Sequence, residues 1–451
     1  MEQDLLNILP QLIVLATSML ALCFEMLRRA TGSLWVLVIG LAAAAGVAIS
    51  KLGTVTTAFS ETFRVDFLSL WAAIILGGAG ILSALLMRQE LRKTGREGTL
   101  SSLVGFSTLG SMILAGAGDM MFLVLGVLIS GLTGFGLAAY PKTDKATEGG
   151  IKYFIYGSVT GAVMLFMLTF WAGTSGSTLL SALGQPGLEP VLVLLGFAGV
   201  LAGLGYSASL FPFHFWTPDV FEGAPVSVAA FVSVTPKIGA FFALAQVMRS
   251  LHPEGLDYNL ILALLAAFSM TFGNVVALWQ KNVLRLMAYS TIAQAGYFLL
   301  GVIAINGSEL AVSSLVVFSV AYAAMNIGAF AIIQQVGPQI LNFEGLARKK
   351  PFMAVAMVVF LLSLVGLPPL AGFAGKFLLF GAAIDVGYSW LAIIAILNSV
   401  ISLAVYLRII NPMFFKKQPV FSSEPSTLLR WVFLSSFAVT VLVGIAVRYF
   451  L

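Results

Sequence analysis

Fourteen runs of about twenty apolar residues dominate the chain, and they leave few folds open to it. They cover roughly 5–27, 33–52, 66–88, 99–117, 119–140, 150–173, 189–211, 225–249, 258–279, 283–303, 309–336, 352–380, 385–412 and 428–451. About 20 such residues in helical conformation cross the hydrocarbon core of a bilayer, and a helix is the simplest way to satisfy every backbone polar group there. The expectation is an all-α polytopic membrane protein with about 14 transmembrane helices. Composition agrees, with 59% hydrophobic and 10% charged residues where soluble domains carry about 25% charged. The first run opens Met1-Glu2-Gln3-Asp4 and is followed by Arg28-Arg29. That charge order is wrong for a cleavable signal peptide, so the run reads as a retained helix.

The net charge of +5 reflects topology rather than a nucleic-acid partner. Of the 24 Lys and Arg residues, eighteen lie in the loops after odd-numbered runs. Four, Lys51, Arg64, Arg249 and Arg448, lie on the opposite side. This bias places the odd loops in the cytoplasm and both termini outside. The single cysteine, Cys23, sits in an apolar run and is expected to be a small buried hydrophobe. One cysteine and two histidines, His214 and His252, are too few to build a thiolate cluster or a metal site, and no Gly-rich dinucleotide loop is present. Redox chemistry is therefore assigned to partner chains.

Two lysines remain, and both lie inside apolar runs. Lys237 is near the middle of the eighth, in SVTPK (233–237), and Lys376 follows VGLPPLAGFAG (365–375) in the twelfth. A charge at bilayer depth costs roughly 3 kcal/mol on insertion scales. Snorkelling to the interface is the competing reading, weakest for Lys237 because both helix ends are distant. A lysine held in a desolvated site can exchange a proton, which is what a relay requires.

Proline placement adds a second signal. Pro368 and Pro369 should break the twelfth helix, and Pro212 and Pro218 interrupt the chain just after the seventh. If runs 4–8 and 9–13 form five-helix units, at 99–249 and 258–417, both interruptions fall at the fourth helix of their unit. Such matching breaks point to inverted repeats, with a three-helix segment (1–98) before them and a final helix (428–451) after. Asn274, Tyr289, Thr291, Gln294, Tyr322 and Asn326 are polar groups in these runs that either pack helices together or line water between the lysines. His214 is a further candidate in the first interrupted stretch.

The segments PFHFWTPDVFEGAP (212–225), NVVALWQKNVLRLMAYSTIAQAGY (274–297) and GLPPLAGFAGKF (366–377) closely resemble the N-type antiporter-like membrane subunits of respiratory complex I, the NADH-quinone oxidoreductase. The resemblance runs from about 100 to 415. It implies two inverted five-helix repeats containing broken helices, and a proton path along the membrane centre coupled to quinone reduction elsewhere in the complex. It makes Lys237 and Lys376 the relay lysines. It also implies that FMN, iron–sulfur clusters and quinone belong to partner subunits, that M-type and K-type subunits and lipid are neighbours, and that the site is a bacterial plasma membrane rather than a thylakoid or mitochondrial one.

Three departures stand out. The family's fifth-helix glutamate falls on Leu128, its seventh-helix lysine on Ser207 and its tenth-helix histidine on Gln294. The missing glutamate and lysine would have neutralised one another, so their joint loss avoids a stranded charge. The expectations are a proton-translocating subunit whose first half-channel is closed, or a non-conducting spacer of the same arm, or a subunit of a cation/proton antiporter or membrane hydrogenase assembly. The two retained lysines favour conduction.

Overall fold

A computed structural model describes residues 1–27, 30–91, 97–251, 257–415 and 426–446. Arg28, Arg29, His252, Arg448, the middle of the 88–98 loop and the tail beyond Ala446 lie outside these residues. Among the described residues, thirteen helices are long and apolar enough to cross a membrane. The fourteenth span is broken in two, so the count read from the apolar runs holds.

The amino-terminal segment holds α1 (Glu2–Asn7), α2 (Leu9–Met26), α3 (Ala30–Ser50) and α4 (Phe67–Leu91). One apolar run thus becomes two helices, with Ile8 between them just ahead of Pro10, which has no N–H to continue the ladder. Between α3 and α4 lies a hairpin of β1 (Thr56–Ala58) and β2 (Phe63–Val65), with Thr57 opposite Arg64. Strands of three residues leave no periodicity to find. Cys23 departs from expectation: it is exposed on the outer face of α2. The buried stripe of α2 is Pro10, Gln11, Val14, Thr17, Ser18 and Ala21, and position 23 falls off that helical repeat.

The next helices are α5 (Glu97–Ala115), α6 (Met120–Ala139), α7 (Asp144–Ser175), α8 (Pro190–Ala208), the short α9 (Thr217–Gly223) and α10 (Val226–Ser250). They are followed by α11 (Tyr258–Ala277), α12 (Val283–Ile303), α13 (Leu310–Val336) and the single turn α14 (Leu346–Lys349). The broken span is α15 (Pro351–Val365) and α16 (Ala371–Asp385), and α17 (Ser389–Phe415) and α18 (Thr427–Ala446) close the chain.

The core is built around α10. Every residue from Ser227 to Met248 is buried, as expected of a helix that is apolar all round. Helices α4, α5, α8, α12 and α13 surround it. Close approach needs small residues: a Cβ on Gly239 of α10 would come within 2.8 Å of Ser111 on α5, and one on Gly273 of α11 within 2.6 Å of the α12 backbone. The amino-terminal segment also grips α10 at both ends. Glu90 on α4 accepts hydrogen bonds from the amides of Val226 (3.0 Å) and Ser227 (2.9 Å) and from the Ser227 hydroxyl (2.6 Å). Arg64 on β2 donates to the Gln246 carbonyl (3.2 Å) and to Ser250 Oγ (2.7 Å). An anion at the N-terminus and a cation at the C-terminus both match the helix dipole.

Candidate functional site

Lys237 projects from the middle of α10 with no exposed surface, which excludes snorkelling. Its Nζ donates to Ser209 Oγ and lies 5.4 Å from the centre of the Trp216 ring. Ser209 is the C-cap of α8, held in the left-handed region at φ 58°. Its own amide donates to the Tyr206 carbonyl (3.0 Å), and the Leu210 amide donates to that of Gly205 (2.8 Å), which closes the end of the helix. Trp216 Nε1 donates to the Tyr206 carbonyl as well (3.1 Å), and the indole stacks on Tyr153 at 4.0 Å. Lys237 thus meets a side-chain hydroxyl rather than a carbonyl. Thr217, the first residue of α9, donates to the same Ser209 Oγ at 2.7 Å.

Lys376 on α16 is solvated differently. The prolines at 368 and 369 cannot extend the preceding helix, so α15 stops at Val365 and Gly366 takes the left-handed turn at φ 94°. Lys376 Nζ donates to the exposed ends of α15, the carbonyls of Leu364 (2.9 Å) and Val365 (3.0 Å), and to Ser399 Oγ (3.3 Å). It also lies 3.8 Å from the centre of the Tyr297 ring. A helix C-terminus carries partial negative charge, and a cation over an aromatic face gains further attraction.

Buried polar residues of α10, α12 and α13 lie near each lysine. Ser233 lies one turn before Lys237. Its carbonyl accepts from Tyr322 Oη (2.9 Å) and its Oγ from Asn326 Nδ2 (3.1 Å). Thr291 on α12 is buried, and its hydroxyl has no hydrogen-bond partner among the described residues. One turn on, Gln294 Nε2 donates to the Leu364 carbonyl at 3.0 Å, the same oxygen that Lys376 uses. Of the expected residues, Tyr322 and Asn326 therefore bond to the turn before Lys237, Gln294 shares a carbonyl with Lys376, and Thr291 is buried on the same helix as Gln294.

Three others lie elsewhere. Asn274 pairs with Asn398 on α17 (3.1 Å) and acts as a helix fastener. Tyr289 is only partly buried and lies against Phe272. His214 is wedged between the rings of Phe211, Phe215 and Phe272.

The proposed pairing of positions 128 and 207 is corrected. Leu128 is 47% exposed, on the outward face of α6, whereas Ser207 is buried within α8. Buried positions on α6 include Leu123, Val127, Ser130 and Gly134, and residue 128 turns away from that stripe. The hydroxyl that reaches Lys237 belongs to Ser209, two residues after Ser207.

A polytopic helical bundle with a buried lysine beside each helix break defines the class, an antiporter-like membrane subunit. Residues 117–402 match the family described as NADH:quinone oxidoreductase/Mrp antiporter, TM. The chain belongs to that family. It is 36% identical to NADH-quinone oxidoreductase subunit N of Trichlorobacter lovleyi over 85% of this chain and 81% of that one. It is 32% identical to the F(420)H(2) dehydrogenase subunit N of Methanosarcina mazei over 92% of this chain and 90% of the relative. A chain of respiratory complex I from Thermus thermophilus superposes with a TM-score of 0.85 at 30% identity, covering 97% of each.

Proposed function

We propose that this chain is a membrane-arm subunit of a complex I-type quinone oxidoreductase and that it moves protons along the line from Lys237 to Lys376. The observations that carry the reading are two groups of buried polar side chains, Tyr322 and Asn326 on Ser233 one turn from Lys237, and Gln294 on the carbonyl that Lys376 also uses. Each residue has a definite task. Lys237 and Lys376 hold or release a proton. Tyr322, Thr291 and the Ser233 hydroxyl can both accept and donate, and the Asn326 and Gln294 amides fix the groups they touch. The Lys376 ammonium is stabilised by the carbonyl ends of α15, so it is the resting place for charge.

The donor and the quinone are acted on by partner subunits, where FMN and iron–sulfur clusters would sit. Relatives named for NADH and for F(420)H(2) leave the donor to those partners. The matching breaks at α8–α9 and α15–α16 support two inverted repeats. The lysine and arginine bias supports both termini outside, and the likeness to complex I supports a bacterial plasma membrane with M-type and K-type subunits as lateral neighbours.

A bracing role without conduction has one observation in its favour: neither position 128 nor 207 carries an ionisable group. Lys237→Ala and Lys237→Arg separate the readings, because arginine stays charged and cannot cycle. Conduction requires both variants to assemble and to lower the proton-to-electron ratio in sealed vesicles. Unchanged ratios in both would leave the bracing role.

A further inference from the structure

We propose that the hydroxyls of Ser209 and Thr217 form the route by which Lys237 exchanges its proton with the face of the molecule that carries α9. This inference rests on the reading that Lys237 cycles a proton. Ser207, at the end of α8 beside the first break, is not ionisable, so a proton reaching Lys237 there needs hydroxyl groups to carry it.

Ser209 and Thr217 are both fully buried. Thr217 Oγ1 donates to Ser209 Oγ at 2.7 Å, and Lys237 Nζ donates to that same oxygen. This arrangement suits the charged lysine, with the serine oxygen accepting from both sides. When the amine is neutral, its lone pair takes the serine proton. Ser209 then takes the threonine proton, and Thr217 is reprotonated from the α9 side. One proton enters, and only O–H and N–H bonds exchange. A hydroxyl can do this because it both donates and accepts. The carbonyl oxygens around Lys376 only accept.

The outer end of the route lies on the same short helix. Two residues after Thr217, Asp219 bonds to Lys152 (2.7 Å) and Arg285 (2.8 Å), and Glu222 bonds to Arg285 (3.1 Å). These carboxylates are partly exposed, so α9 spans from the buried hydroxyl pair to a charged surface. The left-handed backbone at Ser209 aims the hydroxyl. That conformation is uncommon for a residue other than glycine, and the C-cap geometry alone would be met as well by glycine.

Thr217→Val tests the route, because it keeps the side-chain shape and leaves the Lys237–Ser209 contact in place. In whole complexes reconstituted into vesicles, the proton-to-electron ratio should fall to that of Lys237→Ala, with assembled complex unchanged, and Thr217→Ser should restore it. Should the valine variant fail to assemble, Ser209→Gly supplies the test: glycine suits the left-handed turn and removes the hydroxyl, and the same fall is expected. A deficit in Lys237→Ala with an unaltered ratio in Thr217→Val or Ser209→Gly overturns the route and leaves the proposed function standing. A deficit in Thr217→Val that Thr217→Ser does not repair also overturns it, because packing is then the cause. An unaltered ratio in Lys237→Ala removes the proposed function and the route together.

Discussion

Lys237 and Lys376 each sit beside a helix break, yet the two breaks offer their lysines different partners. At the second break the last carbonyls of α15 are unclaimed by the backbone, and Lys376 satisfies two of them directly. The first break is capped in the same way, with the Ser209 and Leu210 amides on the Tyr206 and Gly205 carbonyls as the Gly366 and Leu367 amides are on those of Leu362 and Ser363, yet its lysine turns to a different kind of group. Lys237 bonds to a hydroxyl. Fixed backbone dipoles favour the charged form, whereas a hydroxyl serves either protonation state. The same chemical group therefore holds its proton more firmly at one break and exchanges it more readily at the other.

Removing each lysine should sharpen this contrast most. Lys376→Ala strands the Val365 carbonyl in an apolar setting, at a cost of about 1–3 kcal/mol. Lys237→Ala leaves Ser209 still bonded to Thr217. Assembled complex per membrane protein should fall several-fold in the first variant and little in the second. Equal losses would break the comparison.

A smaller effect is expected from the grip on α10. Glu90→Ala removes the acceptor for two amides and a hydroxyl at the N-terminus of the lysine helix. Loss of such a cap costs about 1 kcal/mol, so the thermal midpoint of the complex should drop by a few degrees, and Glu90→Gln should recover part of it. No change would mean that α10 is held by packing alone.

Smaller still is the coupling between positions 128 and 207. Leu128→Glu and Ser207→Lys should each reduce assembly, and the double variant should show the simple sum, to within about 0.5 kcal/mol. Rescue in the double variant would place the two residues face to face, contrary to the outward aspect of Leu128. The last prediction has no energetic cost. In a Cys23→Ser background, cysteines at the exposed positions Asp144 and Glu2 should be labelled from opposite sides of the membrane. Labelling from one side would contradict five intervening spans.

The span count and both lysines were legible because each follows from a rule of the bilayer: twenty apolar residues cross it, and a charge within it needs a partner. The second break was legible from Pro368 and Pro369 for the same kind of reason. The partners were not. Ser209 and Ser399 look like any serine in an apolar helix, and only the left-handed turn at Ser209 and the packing of α17 against α16 bring them to the lysines. Asn274 and Tyr289 resembled Asn326 and Tyr322 in every local respect. Which residues came to lie near a lysine depended on helix rotation, set by the buried contacts of α10. Leu128 was misplaced for the same reason, since a motif fixes position along a helix but not what its face meets.

The claim that protons pass between the two lysines is tested most directly at Tyr322 and Asn326. Tyr322→Phe combined with Asn326→Leu keeps volume and removes both bonds to Ser233, while neither lysine is touched. Protons translocated per electron should be measured on the assembled complex in sealed vesicles. The account predicts a ratio reduced to that of Lys237→Ala, with quinone reduction by uncoupled vesicles maintained. An unaltered ratio would contradict it.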